Sequence, residues 1–487
     1  MAAMADLRPA TQTLRPDSIG LAAIVFLIIA TVAPMSGTIG ALPLAFGLGT
    51  GSGTAAAFAV VAVVLVLFTV GYMAMSRHIA NAGGFYVYIG KGLGMRMGRA
   101  TGYVAFLSYN VFQVAIWGTF GFFCNIFTAE YFGFELPWIV WVLAGIAIMG
   151  TLGYFDIDVS AKVLGVAVVL EVAIILAMDF AILFQGGASG INLAPFSPGE
   201  FLSSNTAIGL MFAFLLFIGF EATAIYAEEA REPRKTIPRA AITAVLIIAG
   251  FYMLTSWSLA MAWGVEEAAG VALEDPGNFI FGAAATYLGE WSVAVMLVLF
   301  IVSTFATNLG FHNAIARYQF SLARDGWAPR VLERIHPKHR SPFMGSIVQT
   351  IIAAVMVLAF FVAGAHPYEQ MFTWLISLGA LGLIALMAFT SLAVIAYFRR
   401  TRRERSVWVT VISPAIAAVA LAAEAVLLVA NWGLQTMDAG GLVPYLPLLL
   451  LAAAAIGFAW KHGAAPAWAA DERGDAAEAP EATEAVR

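Results

Sequence analysis

Long apolar runs alternate with short polar connections along almost the whole chain. Twelve runs, at about 19–45, 54–75, 100–125, 137–155, 161–185, 205–227, 239–263, 288–316, 344–363, 371–397, 408–432 and 443–460, each reach 18 residues or more. That length carries a helix across a hydrocarbon core about 30 Å thick. Strand-length alternation is absent, so the pattern predicts an all-α integral membrane protein of twelve spans and not a barrel. Two runs are interrupted where the others stay smooth. Run 1 contains Pro34, Gly37, Gly40 and Pro43, and run 6 carries Gly219 and Glu221 at the end of the apolar stretch AIGLMFAFLLFIGF. A carboxylate at membrane depth costs roughly 2.5–3.5 kcal/mol on insertion scales, so it is rarely kept without a partner or a task.

Composition narrows the class. Charged residues are only 11% of the chain against 61% hydrophobic, whereas ordinary globular domains carry about 25% charged residues. A soluble enzyme is thereby excluded. With the N-terminus placed inside, all 25 Lys and Arg fall on the inner side, and the outer loops keep only acidic or neutral residues such as Glu130, Glu200, Glu266 and Asp275. The positive-inside rule then predicts both termini in the cytoplasm of a multi-pass cell-membrane protein. The first run is too long for a signal-peptide core. Residues 1–17 read as a cytoplasmic arm, 18–462 as one membrane domain, and 463–487 as a disordered Ala- and Glu-rich tail. YVYIGKGLGMRMG after run 2 and SLARDGWAPRVLERIH after run 8 read as interfacial helices. The single cysteine, Cys124, permits neither an intrachain disulfide nor a cysteine-based metal site. No cofactor, metal or nucleic acid is expected.

Interrupted helices at matching positions of two halves are the sequence mark of an inverted-repeat transporter. Runs 1 and 6 lie five helices apart, which predicts repeats at about 19–185 and 205–397, with helices at about 408–460 outside them. The plainer alternative for run 1 is a packing kink, since membrane helices tolerate both Pro and Gly.

Three stretches resemble one family. GFEATAIYAEEAREPRKTIPRAAI is similar to the sixth-helix signature of the amino acid–polyamine–organocation (APC) superfamily, NAGGFYVYIGKGLG to its loop after helix 2, and FHNAIARYQFSLARDGWAPRVLERIHPKHRSP to its loop after helix 8. The likeness covers about residues 15–400. It implies a five-plus-five inverted-repeat fold and alternating access around a site between helices 1 and 6. Family members often carry Gly-Ser-Gly in the break of helix 1, where this chain has Ser36-Gly37-Thr38. A broken helix leaves N–H groups free on one half and C=O groups on the other, suited to a substrate carboxylate and ammonium respectively.

On this reading Ser36, Gly37, Thr38, Phe217, Gly219, Phe220, Asn110 and Gln113 are the expected substrate-binding residues. Phe217 and Phe220 are equally ordinary packing aromatics, and Asn110 and Gln113 equally interhelical glue. Glu221 stands where some proton-coupled relatives carry a glutamate; a carboxyl held from water can exchange its proton in the working pH range. Its alternative is a hydrogen bond that pins the turn. Glu171 stands where many relatives have lysine, and reads as a proton acceptor, a cation ligand, a counter-charge for a basic substrate or a packing carboxyl; Asp179 reads as structural. Ser303, Thr304, Thr307 and Asn308 give run 8 a polar face, though such hydroxyls usually bond their own helix, so sodium is less expected than protons. His312 reads as a packing residue, and Arg399–Arg405 as an anchor touching anionic lipid.

The sequence therefore predicts a secondary active transporter, with no enzymatic activity, that takes an amino acid into the cell with protons. A polyamine or amine importer, or an exchanger, is the alternative on the same fold, and a non-transporting nutrient sensor the alternative of another class. A channel filter and an enzyme's clustered catalytic groups are both missing from the sequence.

Overall fold

A computed structural model describes residues 20–79, 84–155, 161–202, 205–221, 223, 230–336, 341–437 and 439–460. The expected arm, the expected tail and most of the acidic part of the EEAREPRK segment lie outside the described residues. Every regular element among those described is a helix. The main ones are α1 Leu21–Val32, α2 Pro34–Gly40, α3 Thr54–Ser76, α4 Phe85–Leu93, α5 Met95–Phe132, α6 Trp138–Phe155, α7 Ala161–Gln185, α8 Thr206–Leu215, α9 Pro233–Trp263, α10 Trp291–Arg324, α11 Phe343–Val362, α12 Thr373–Thr401, α13 Ser413–Ala430 and α14 Pro447–Ala459. Nine helical stretches among the described residues are long and apolar enough to cross a membrane. Three further expected runs appear as shorter apolar helices, Trp138–Tyr154, Thr206–Leu215 and Val443–Ala459.

The surface explains the composition. Val63, Val169, Phe184, Val355, Val362, Val419 and Val426 are largely exposed around the bundle, as expected when the solvent for the outer faces is lipid. Buried polar side chains face inward instead, among them Glu171, Asp179, Asn110, Gln113, Asn308 and Gln349. Helices packed in lipid gain little from apolar burial against one another, so close approach and interhelical hydrogen bonds fix their arrangement.

Two groups of helices result. In the first, α3 packs on α8 and α9, and α1 packs on α9. In the second, α5, α6, α10 and α11 pack on one another. A buried amide network stitches that second group: Gln349 Nε2 donates to Asn110 Oδ1 at 2.9 Å and Gln113 Oε1 at 2.6 Å, while its Oε1 accepts from Gln319 Nε2 at 3.0 Å. Separately, His312 Nε2 of α10 pairs with Ser346 Oγ of α11 at 2.8 Å. Helix α13 covers α3 and α12, and α14 runs along α5.

One local expectation changes. The stretch after run 2 is a helix, yet it does not lie on a surface: Phe85–Gly92 are all buried, wedged between α5 and α12. A side chain on Gly92 would run into the backbone of Ala393 on α12, so glycine permits the contact. Of the stretch after run 8, the first part continues α10 to Arg324 and the rest forms a short turn at Arg330–Glu333.

Candidate functional site at two helix breaks

Run 1 is divided at Ala33, which adopts left-handed backbone angles (φ 51°, ψ 72°) between α1 and α2. Pro34 follows and has no N–H to continue α1. Run 6 ends its regular helix at Leu215 and passes through a series of tight turns, with Phe217 N–H on Phe214 O at 3.1 Å and Phe220 N–H on Phe217 O at 3.2 Å. Gly219 sits at φ +113°, a conformation that glycine alone adopts readily.

The two breaks lie against each other. Leu216 packs on Gly37, and Gly219 packs on Thr31, two residues before the bend at Ala33. Tyr252 of α9 closes the notch, its hydroxyl directed at the Pro34 carbonyl at 3.5 Å and occupying the space that a side chain on Gly37 would need. Phe58 stacks on Tyr252 with ring centroids 5.1 Å apart and contacts Phe217 at 6.3 Å. Phe220 meets Phe68 edge-on at 6.1 Å. Phe217 and Phe220 therefore both line the wall between α8 and α3.

Carboxyl groups occupy both breaks. Glu221 turns back so that Oε2 accepts the Gly219 N–H at 2.8 Å, and the hydroxyls of Tyr109 and Tyr72 face the same carboxyl from α5 and α3. Glu171 of α7 is buried; its Oε2 accepts from Ser303 Oγ at 3.1 Å, and its carboxyl faces the Met35 N–H at the start of α2. The Thr38 hydroxyl, also on α2, is buried with no hydrogen-bond partner among the described residues.

The other predicted positions, Ser36 of α2 excepted, find their partners outside the two breaks. Asn110 and Gln113 point to Gln349 and take part in the amide network. Thr304 and Thr307 donate to the Phe300 and Ser303 carbonyls of their own helix, at 2.9 and 2.8 Å. Asp179 bridges α7 to α9, accepting from Thr255 Oγ1 at 2.7 Å and Ser258 Oγ at 2.5 Å. Ser36 is half-buried beside Gly37. Among the described residues no cluster of His, Cys, Asp and Glu is arranged to hold a metal. Sequence reasoning missed Tyr252, Tyr109 and Tyr72. Their aromatic rings give no sign in an apolar run, although Tyr109 adjoins the polar pair Asn110 and Gln113.

Apolar outer faces, a core with polar side chains buried in it, and two interrupted helices mark a multi-pass helical membrane protein. The sequence pattern of the amino acid permease family matches residues 19–454, and the chain belongs to that family. Among its relatives, the methylthioribose transporter of Bacillus subtilis is 29% identical over 226 residues, 45% of each chain. The branched-chain amino acid permease BcaP of Bacillus subtilis is 27% identical over 213 residues, 44% of this chain and 43% of the relative. The low-affinity putrescine importer PlaP of Escherichia coli K12 is 26% identical over 344 residues, 68% of this chain and 71% of the relative. The chain thus spans less than half the length of the two Bacillus relatives that it matches.

Proposed function

We propose that this permease is a secondary active transporter of the cell membrane that imports a small amino-bearing substrate, an amino acid in the first instance, together with protons. Twelve spans in two inverted repeats, with both termini cytoplasmic, would carry it. The observation behind this reading is the placement of Glu221: a carboxyl folded onto the Gly219 N–H, at an unwound turn that packs on the break of the first helix. Loss or gain of its proton changes the strength of that hydrogen bond, because charged acceptors bind N–H groups more strongly than neutral ones. The turn that contacts the substrate wall is thereby coupled to the proton. The unpartnered Thr38 hydroxyl gives a substrate polar group a place to bind.

A second reading has its own support. The N–H end of α2, where a substrate carboxylate would be held, already faces the Glu171 carboxyl. Substrates that bring an ammonium without a carboxylate fit that arrangement better, which favours an amine importer on the same fold. Reconstituted protein separates the readings. Counterflow of labelled leucine and labelled putrescine, each with and without an imposed proton gradient, should show one substrate accumulating when the outside is acid. Uptake indifferent to the gradient overturns proton coupling, and binding without movement of either substrate would point to a sensor.

A further inference from the structure

At the end of the bundle where the basic residues gather, a groove of about 590 Å³ opens between α4 and the last turns of α12. Its walls are Gly92, Leu93, Gly94, Leu392, Ile395, Ala396, Arg399 and Arg400, with no acidic side chain among them. The lining is graded along the helix axis. Leu392, 45% exposed, stands towards the middle of the bundle, Ile395 and Ala396 follow, and the two arginines, both exposed, stand at the helix end.

The arginines are held differently. Arg400 Nη2 donates to the Lys91 carbonyl and, at 3.0 Å, to the Gly92 carbonyl, so it ties α12 to the C-terminal end of α4. The Arg399 guanidinium has no partner among the described residues. Glu404, further along the chain and outside the groove lining, turns its carboxylate to the backbone N–H groups of Arg405 and Ser406, at 3.0 and 3.2 Å.

We propose that this groove is a binding site for an anionic phospholipid, with the headgroup phosphate on Arg399 and the outer edge of Arg400 and an acyl chain along Leu392 and Ile395. The match is amphipathic as well as electrostatic. A soluble anion would use the arginines and leave the aliphatic wall uncovered. A zwitterionic lipid would cover the wall and bring a phosphate, but its own ammonium already neutralises that phosphate and is repelled by the guanidiniums. Anionic lipid at this face attracts each basic residue by about 1 kcal/mol, which corresponds to about fivefold in affinity.

The test uses full-length protein purified in detergent and stripped of lipid. Its melting temperature is followed against phosphatidylglycerol, phosphatidylcholine and glycerol 1-phosphate, and bound lipids are counted by native mass spectrometry. Phosphatidylglycerol should raise the melting temperature in a saturable way, as any ligand of the folded state does, and one tightly held copy should be counted. The zwitterionic lipid and the soluble phosphate should do neither. Arg399→Gln, on an exposed side chain with no internal partner, should weaken the phosphatidylglycerol effect about fivefold. Ile395→Trp, which fills the aliphatic half and leaves both arginines, should weaken it as well. Equal responses to phosphatidylcholine, a full response to glycerol 1-phosphate, or unaltered binding by both variants would each overturn the site.

Discussion

At the scale of single residues the sharpest questions concern Gly219 and Glu221, which share one hydrogen bond. In Glu221→Gln the side chain still has an oxygen to accept the Gly219 N–H, so the turn keeps its shape. What disappears is the exchangeable proton. Substrate binding by thermal shift should therefore persist, while the pH dependence of transport flattens. An unchanged pH profile would leave Glu221 a structural residue. Gly219→Ala tests the turn itself. Alanine at φ +113° is strained by roughly 1–3 kcal/mol, and its methyl group would press on Thr31. The variant should melt at a lower temperature and lose transport even in proteoliposomes where it remains folded. Wild-type uptake by Gly219→Ala would show that the left-handed turn is dispensable. Glu171 separates the two substrate readings: Glu171→Gln should lower putrescine uptake much more than leucine uptake if the carboxyl serves as a counter-charge for an ammonium, and equal losses would favour a packing role.

At the scale of elements, close contacts and buried amides decide which helices move together. Gln349 of α11 makes three side-chain hydrogen bonds, to Asn110, Gln113 and Gln319. Gln349→Leu keeps the volume nearly constant and removes all three, so that Asn110 Oδ1, Gln113 Oε1 and Gln319 Nε2 each lose a hydrogen bond, at about 1–3 kcal/mol each before relaxation. Its expected signature is a loss of thermal stability with little change in the substrate concentration for half-maximal transport. A large change in that concentration with unaltered stability would place the network at the substrate site. Here the limits of reading a chain from its sequence are physical. Pro34, Gly37, Gly219 and Glu221 were legible because each interrupts an otherwise apolar run. The side to which Asn110 and Gln113 turn was not, because it depends on the rotation of α5 and on a glutamine 236 residues away from Gln113. Helix α4 taught the same lesson. Mixed aromatic, aliphatic and basic residues suit a lipid headgroup layer and a crevice between helices equally well, and only the neighbours α5 and α12 decide between them.

At the scale of the whole molecule, the division of run 1 at Ala33 gains its meaning. Helix α1 packs on α9 and hence with α3 and α8, whereas α2 meets α7 and α10. The break thus lies where two groups of helices join, the place at which relative movement of the groups would be absorbed by few backbone angles. At one end of the bundle two connections touch: Ser52 Oγ donates to Glu200 Oε2 at 2.7 Å, and Gly53 packs on the backbone of Glu200. That end carries the acidic loop residues Glu200, Glu266, Glu267 and Asp275, and the other end the arginines of α5, α10 and α12. Charge asymmetry of this kind orients a chain at insertion, so the acidic end should face outward and the proposed lipid groove inward. The prediction is checked in a Cys124→Ala background, which removes the lone thiol, a buried one 7% exposed. Single cysteines at Glu266 and at Glu333 should behave oppositely towards a membrane-impermeant maleimide. Intact cells should label the first and spare the second, and both should react once the membrane is opened. The reverse order would overturn the assigned orientation, although net transport would still follow the proton gradient.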